Sequence, residues 1–294
     1  MLSPLQRLES SFLKEKDISL YVKRDDLIHP DISGNKYRKL IYALSYYKKN
    51  NIKKVITFGG AYSNHIQAFA YAAKENNIKA VGIIRGEELK NKTLNKTLSY
   101  AKENGMELVF VSREEYKKRN DANYLKELKE KYNSEILPEG GTTKFAANGL
   151  KDMVEEINIQ ESNINFIVTA SGTGGTIAGT VFGLKEYQTA ISIPVLKGIE
   201  NDIENKINEF SSNKNYKIIN NYHFNGYAKY NQELIDFINS FKKEYDIQLE
   251  QVYTGKMFYA IFDLIKKDYF KKGTNICIVH TGGLQGLLEE LKNK

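Results

Sequence analysis

Short apolar runs alternate along this chain with longer amphipathic stretches. Lys54-Val55-Ile56-Thr57-Phe58, Ala80-Val81-Gly82-Ile83-Ile84, Leu108-Val109-Phe110-Val111, Asn165-Phe166-Ile167-Val168-Thr169, Ser192-Ile193-Pro194-Val195-Leu196 and Asn275-Ile276-Cys277-Ile278-Val279 read as buried strands. Helical spacing of apolar residues covers about 36–49, 64–76, 91–104, 113–132, 146–158, 176–187, 232–244, 256–267 and 284–292. Ser63 and Ser112 stand where helix N-caps are expected, and Gly105 where a helix should stop. Strand–helix alternation predicts an α/β protein: two open, twisted, parallel-sheet domains with helices on both faces. The run from about 54 to 112 suits a small inserted unit, which sets the expected domains at 41–144 and at 1–40 with 145–294. The cleft between two such domains is the default place for a cofactor or ligand.

Composition narrows the class. With 294 residues, 41% apolar and 27% charged, the chain is an ordinary globular one and can bury a core without staples. No apolar run approaches the ~18–20 residues that span a bilayer, so no membrane partner is expected. The first residues, Met1-Leu2-Ser3-Pro4, do not read as a secretory signal, and a cytoplasmic protein is the expectation. The single cysteine, Cys277, excludes an internal disulfide and a multi-cysteine metal site; no metal is expected. The net charge of +7 comes from lysines scattered among Glu and Asn, with only six arginines. That pattern does not predict nucleic-acid binding and is compatible with an anionic small molecule.

Four stretches could carry chemistry. Ser171-Gly172-Thr173-Gly174-Gly175-Thr176 follows a strand and opens a helix. Glycines there let amides approach an anion, and a helix N-terminus adds unpaired N–H groups. No Gly-Lys-Ser/Thr follows, so it is not a Walker loop, and Ile177 spoils a dinucleotide fingerprint. It is a phosphate cradle or a plain glycine-rich turn. In Ser33-Gly34-Asn35-Lys36-Tyr37-Arg38-Lys39-Leu40, Lys36 falls at a helix start, where the dipole disfavours a cation. A lysine so placed is either a solvated basic helix start or an amine of lowered pKa able to form an imine. Gly59-Gly60-Ala61-Tyr62-Ser63-Asn64-His65 also follows a strand, the usual ligand edge of an α/β sheet, and His65 could be a simple cap. The fourth group, Tyr227, Tyr253-Thr254-Gly255-Lys256 and His280-Thr281-Gly282-Gly283, consists of turns that are individually unremarkable.

Together with Lys23-Arg24-Asp25-Asp26-Leu27, these stretches resemble, in order and spacing and over nearly the whole chain, the pyridoxal-phosphate enzymes that comprise 1-aminocyclopropane-1-carboxylate deaminases and D-cysteine desulfhydrases. These are tryptophan-synthase-β-like enzymes of fold type II. The resemblance implies pyridoxal 5'-phosphate as cofactor, held covalently by Lys36. It implies Lys39 near the phosphate, Gly172, Thr173, Gly174, Gly175 and Thr176 as its cradle, and Asn64 on the ring hydroxyl. Ser63 corresponds to a serine at the substrate carboxylate that is also argued to be a nucleophile or proton relay. Tyr253 and Tyr227 correspond to two active-site tyrosines. A homodimer acting on a small amino acid is implied as well.

Thr254 and Thr281 sit where the family divides. The deaminases characteristically have Glu and Leu there, the desulfhydrases small hydroxyl residues. A carboxylate beside the ring nitrogen would favour a protonated, stronger electron sink; a hydroxyl would leave the nitrogen largely neutral. On that basis the expected function is D-cysteine desulfhydrase, with 1-aminocyclopropane-1-carboxylate deaminase as the alternative. The segments about 85–95 and 210–226 are shorter than in typical members.

Overall fold

The computed structural model describes residues 2–32 and 34–292. Ser33, read above as part of the turn before Lys36, lies outside them. Ten strands are described: β1 (Leu5–Leu8), β2 (Ile18–Lys23), β3 (Lys54–Gly59), β4 (Lys79–Arg85), β5 (Glu107–Val111), β6 (Glu135–Leu137), β7 (Phe166–Ser171), β8 (Thr189–Pro194), β9 (Tyr216–Ile218) and β10 (Thr274–Val279). The described α-helices are α1 (Ser11–Lys16), α2 (Asn35–Lys49), α3 (Asn64–Glu75), α4 (Lys96–Glu103), α5 (Arg113–Lys117), α6 (Ala122–Tyr132), α7 (Lys144–Gln160), α8 (Gly175–Gly183), α9 (Glu200–Phe210), α10 (Gln232–Tyr245), α11 (Thr254–Lys266) and α12 (Glu289–Lys292).

The chain divides into two compact units. The first comprises Met1–Ile28, Ser33–Asn35 and Leu150–Lys294; the second comprises His29–Ile32 and Lys36–Gly149. Residues 36–40 thus go with the second unit, because Leu40, Ala43, Leu44 and Tyr47 on the buried stripe of α2 pack into that unit's core.

The first unit holds a six-stranded sheet in the order β1-β2-β10-β7-β8-β9. All its pairings are parallel except β1 with β2. The antiparallel edge follows from a short connection, since only α1 separates these two strands. Strand alternation divides the core into two faces. Ile276 and Ile278 of β10 join Val168 and Ala170 of β7 under α10 and α11, whereas Cys277 and Val279 join Ile167 under α7. Helices α8 and α9 pack on Ala190 of β8 through Ile177, Val181, Ile203 and Ile207.

The second unit is an all-parallel sheet in the order β5-β4-β3-β6. Val55, Ala80 and Ile84 face the helices α2, α3 and α4. Ile56, Phe58, Val81 and Ile83 face Tyr116 of α5 and Leu128 of α6. Both sheets are therefore covered on both faces, as the near-continuous apolar runs required.

The expected helix over 113–132 is interrupted. Asp121 accepts a hydrogen bond from the Tyr124 amide at 2.9 Å and starts α6 afresh. The expected helix over 91–104 begins only at Lys96, where Asn95 caps the Leu98 amide. The expected helix over 284–292 is a 3-10 turn at Leu284–Gly286 followed by α12. No helix among the described residues is long and apolar enough to cross a membrane.

Candidate active site

In the second unit, Lys36 is the second residue of α2 and is partly buried. Loss of water around its ammonium lowers its pKa to about 8, against a smaller opposing pull from Glu139. That carboxylate is itself held by Arg119 Nε at 2.6 Å and by the Tyr116 hydroxyl at 2.7 Å. Lys39, one turn along α2, is buried, with Nζ 3.5 Å from Thr142 Oγ1.

Ser63 caps α3: its Oγ accepts from the Ile66 amide at 3.3 Å, which leaves its hydroxyl hydrogen free to donate elsewhere. A Cβ on Gly59 would lie 2.8 Å from that Oγ, so the end of β3 must be glycine for Ser63 to sit there. Asn64 is the first residue of α3 and only partly buried. His65 is not a cap but a core residue. Burial and the charges of Lys36 and Lys39 hold its imidazole well below the ordinary range, so it is neutral. Thr57 Oγ1 donates to the Leu137 carbonyl at 2.9 Å and therefore accepts from His65 Nε2 at 2.7 Å. The other nitrogen, Nδ1, is buried without a hydrogen-bond partner.

In the first unit, β7 runs into the glycine loop and α8. Gly174 is the N-cap of α8 with φ +74°, a left-handed conformation that a side chain would strain. The first bond into the helix runs from the Ala178 amide to the Gly174 carbonyl at 3.0 Å. The amides of Gly175, Thr176 and Ile177 consequently have no acceptor behind them within the helix. Thr173 is exposed, whereas Thr176 is buried and its Oγ1 accepts from Asn35 Nδ2 at 2.7 Å. Asn35 is the residue immediately before Lys36 in the chain.

The same unit gathers the tyrosines. A Cβ on Gly172 would lie 3.3 Å from Tyr253 Cε1 and 3.5 Å from its hydroxyl oxygen, so the glycine loop lies against the edge of that ring. Tyr227, 47% exposed, stands edge-on to Tyr253 with ring centroids 6.3 Å apart. Tyr253 is the N-cap residue of α11 but its side chain makes no cap bond; the capping carboxylate comes from Glu250, which the motifs above do not include. Glu250 is buried, and its carboxylate accepts from the amides of Val252, Tyr253 and Thr254 at 2.6, 2.7 and 2.6 Å. Burial pushes this carboxyl's pKa up while the three amides pull it down. Thr254 is fully buried; its Oγ1 accepts from the Glu250 amide at 2.9 Å and lies 3.2 Å from Glu250 Oε1, to which it donates. Its hydroxyl is thus engaged inside the helix cap. Thr281 is partly buried, and a Cβ on Gly34 would lie 1.5 Å from its carbonyl oxygen. Only glycine at 34, with φ +61°, allows that approach. Next to it, His280 Nε2 donates to the Gln248 carbonyl at 2.8 Å and Nδ1 accepts from the Gly282 amide at 3.2 Å, a neutral pairing consistent with its lowered pKa. An acid before a helix start was the available signal for Glu250.

The donor set fits a phosphate-bearing aldehyde cofactor. Three outward amides at the end of a nine-residue helix, with Thr173 exposed beside them, suit a dianion. A lysine whose ammonium is destabilised suits imine formation. Among the described residues no group of His, Cys, Asp and Glu could hold a metal ion.

Comparison with known proteins agrees. The family model described as pyridoxal-phosphate dependent enzyme matches residues 2–282. A Pyrococcus abyssi protein named "Putative 1-aminocyclopropane-1-carboxylate deaminase" is 34% identical over 97% of this chain and 90% of its own length. The mitochondrial bifunctional D-cysteine desulfhydrase/1-aminocyclopropane-1-carboxylate deaminase of Arabidopsis thaliana is 29% identical over 92% of this chain and 74% of its own. A crystal structure described as an ACC deaminase homologue superposes with a TM-score of 0.81 at 31% identity, covering 97% of this chain and 90% of that one.

Proposed function

The chain belongs to the pyridoxal-phosphate dependent enzyme family, and from that premise we propose that it is a lyase of a small amino acid, converting D-cysteine and water to sulfide, pyruvate and ammonia. When bound, the cofactor supplies an electrophilic carbon for an amine and a ring that takes up the electron pair left by a departing proton. Lys36 would hold that carbon through its amine, and its amine once free would take the proton from the substrate Cα. The amides of Gly175, Thr176 and Ile177, with the loop Gly172–Gly174 and Thr173, would hold the phosphate, and Lys39 would add positive charge. Ser63 would donate its free hydroxyl hydrogen to the substrate carboxylate, and Asn64 would meet the ring hydroxyl. Tyr253 and Tyr227 carry a proton to or from the departing β-sulfur.

The observation that supports D-cysteine over the cyclopropane is the state of position 254. It is a threonine whose hydroxyl is engaged by Glu250, and the Glu250 carboxylate is itself occupied by three amides. In this reading the hydroxyl of Thr281 would be the group left to meet the ring nitrogen, and it would not stabilise a protonated ring as a carboxylate would. A largely neutral ring is the weaker electron sink, sufficient where a Cα proton can leave and sulfide is expelled. A second reading, the deaminase of 1-aminocyclopropane-1-carboxylate, draws support from the names of the relatives. The test is a parallel assay of holoenzyme for sulfide and pyruvate from D-cysteine and for 2-oxobutyrate from the cyclopropane. Sulfide with little 2-oxobutyrate is expected. Efficient 2-oxobutyrate formation without sulfide would reverse the assignment.

A further inference from the structure

The first turn of α11 carries a second buried lysine that the proposed reaction does not use. Lys256 is 0% exposed, three residues after Tyr253 and so on the same helix face. Its ammonium has three hydrogens, and three carbonyl oxygens surround it: Gly226 at 2.8 Å, His223 at 2.9 Å and Val195 at 3.5 Å. Two of these are the ends of one turn, itself closed by the Gly226 amide donating to the His223 carbonyl at 2.9 Å. The Glu250 carboxylate, on the preceding turn, attracts the ammonium and offsets part of its desolvation.

The turn needs such a hold. Phe224, Asn225, Gly226 and Ala228 all have positive φ, at 50°, 65°, 121° and 55°. Three of the four are not glycine, and left-handed backbone is disfavoured for such residues. Asn220 Oδ1 and His223 Nδ1 are buried without hydrogen-bond partners, so these two atoms do not hold the turn. The other anchors lie upstream: the Tyr222 hydroxyl donates to Asp263 at 2.7 Å and the Phe224 ring packs on Tyr259. Downstream of Gly226 comes Tyr227, whose ring stands on Tyr253.

We propose that Lys256 is a positioning residue: by binding the His223 and Gly226 carbonyls from α11, the helix that Tyr253 precedes, it fixes the turn that sets Tyr227 against Tyr253. This rests on the reading of Tyr227 as a proton carrier. The lysine touches no substrate and acts only through the turn.

The test is a double-mutant cycle on the holoenzyme, with backbone hydrogen exchange as a substrate-independent readout. Lys256→Gln should speed exchange of the Gly226 and Lys229 amides ~10-fold or more while the interior of α11 keeps its protection. It should lower kcat ~30-fold with KM changed less than ~3-fold. In the Tyr227→Phe background the same change should cost less than ~2-fold further, because the two act through one element. Gly226→Ala attacks the clamp from the loop side and guards against misfolding of the lysine variant. No atom lies within 4 Å of the added Cβ, so it strains only the turn at φ +121°, and it should show the same non-additivity. Unchanged exchange in Lys256→Gln, or losses that multiply with Tyr227→Phe, would overturn the clamp. Full turnover in Tyr227→Phe alone would overturn the reading of Tyr227 and the clamp's purpose with it.

Discussion

If the amine of Lys36 is prepared by burial, its titration can be read directly in cofactor-free protein. The pKa falls from 10.5 to about 8, chiefly by desolvation, and Glu139 opposes the fall. At pH 7 a group with that pKa is neutral in roughly one molecule in eleven, against about one in three thousand at its ordinary value, a ~300-fold enrichment of free amine. Trace acetylation with labelled acetic anhydride, quantified on the peptide containing Lys36, reports the neutral fraction between ~pH 6 and ~pH 11. The expected midpoint is about 8, and Glu139→Gln should lower it further, since an anion that stabilises the ammonium is removed. The extra shift should be modest, ~0.3–1 unit, because a charge already paired acts weakly at a distance. The pairing is with Arg119 and Tyr116. A midpoint above ~10, or an upward shift in Glu139→Gln, would refute the argument that desolvation prepares this amine.

Three further outcomes follow from the same geometry. Borohydride reduction of the holoenzyme and peptide mapping should place the pyridoxyl group on Lys36; finding it on Lys39 would reassign the attachment. Ser63→Ala should cost ~10²-fold in kcat/KM if Ser63 meets the substrate as proposed, and also about 1 kcal/mol of stability, because its Oγ caps α3; a lowered melting temperature with full turnover would leave Ser63 a cap alone. Gly174→Ala should weaken cofactor retention measured by dialysis, since a Cβ there would lie 3.2 Å from Ile203 Cα on a backbone with φ +74°; retention equal to the parent would refute the cradle.

What the sequence made legible follows from how each element is stabilised. Strands buried on both faces, such as β3, β4, β7 and β10, are continuous apolar runs and could be read directly. The short strands β1, β6 and β9 were not read, having three or four residues each and partial burial. Helix α9 was missed because its buried stripe is only Ile203 and Ile207 within a polar segment. The glycine loop and the Ser63 cap were visible because special backbone needs special residues. Glu250 was legible only as an acid just before a helix start, its partners being the next amides in the chain; Glu139 and the carbonyl partners of Lys256 were not, since their partners are set by tertiary packing and backbone acceptors leave no mark in a sequence.

The two lysines make this last point chemically. Lys36 and Lys256 each fall within the first three residues of a helix, where the dipole disfavours a cation. Both have a pKa of about 8, and in both a carboxylate opposes the effect of burial. Position, charge and pKa therefore do not tell them apart. Hydrogen bonding does. The three hydrogens of Lys256 face three backbone carbonyls. An amine so saturated would have to leave two or three acceptors unpaired before it could attack a carbonyl carbon, at roughly 1–3 kcal/mol for each. Among the described residues no acceptor is within hydrogen-bond reach of Lys36 Nζ, so once it loses its proton the lone pair is free to react. A lowered pKa supplies neutral amine at both sites; in the proposed reading, freedom from carbonyl acceptors suits Lys36 to be the nucleophile, and their full complement suits Lys256 to be a clamp.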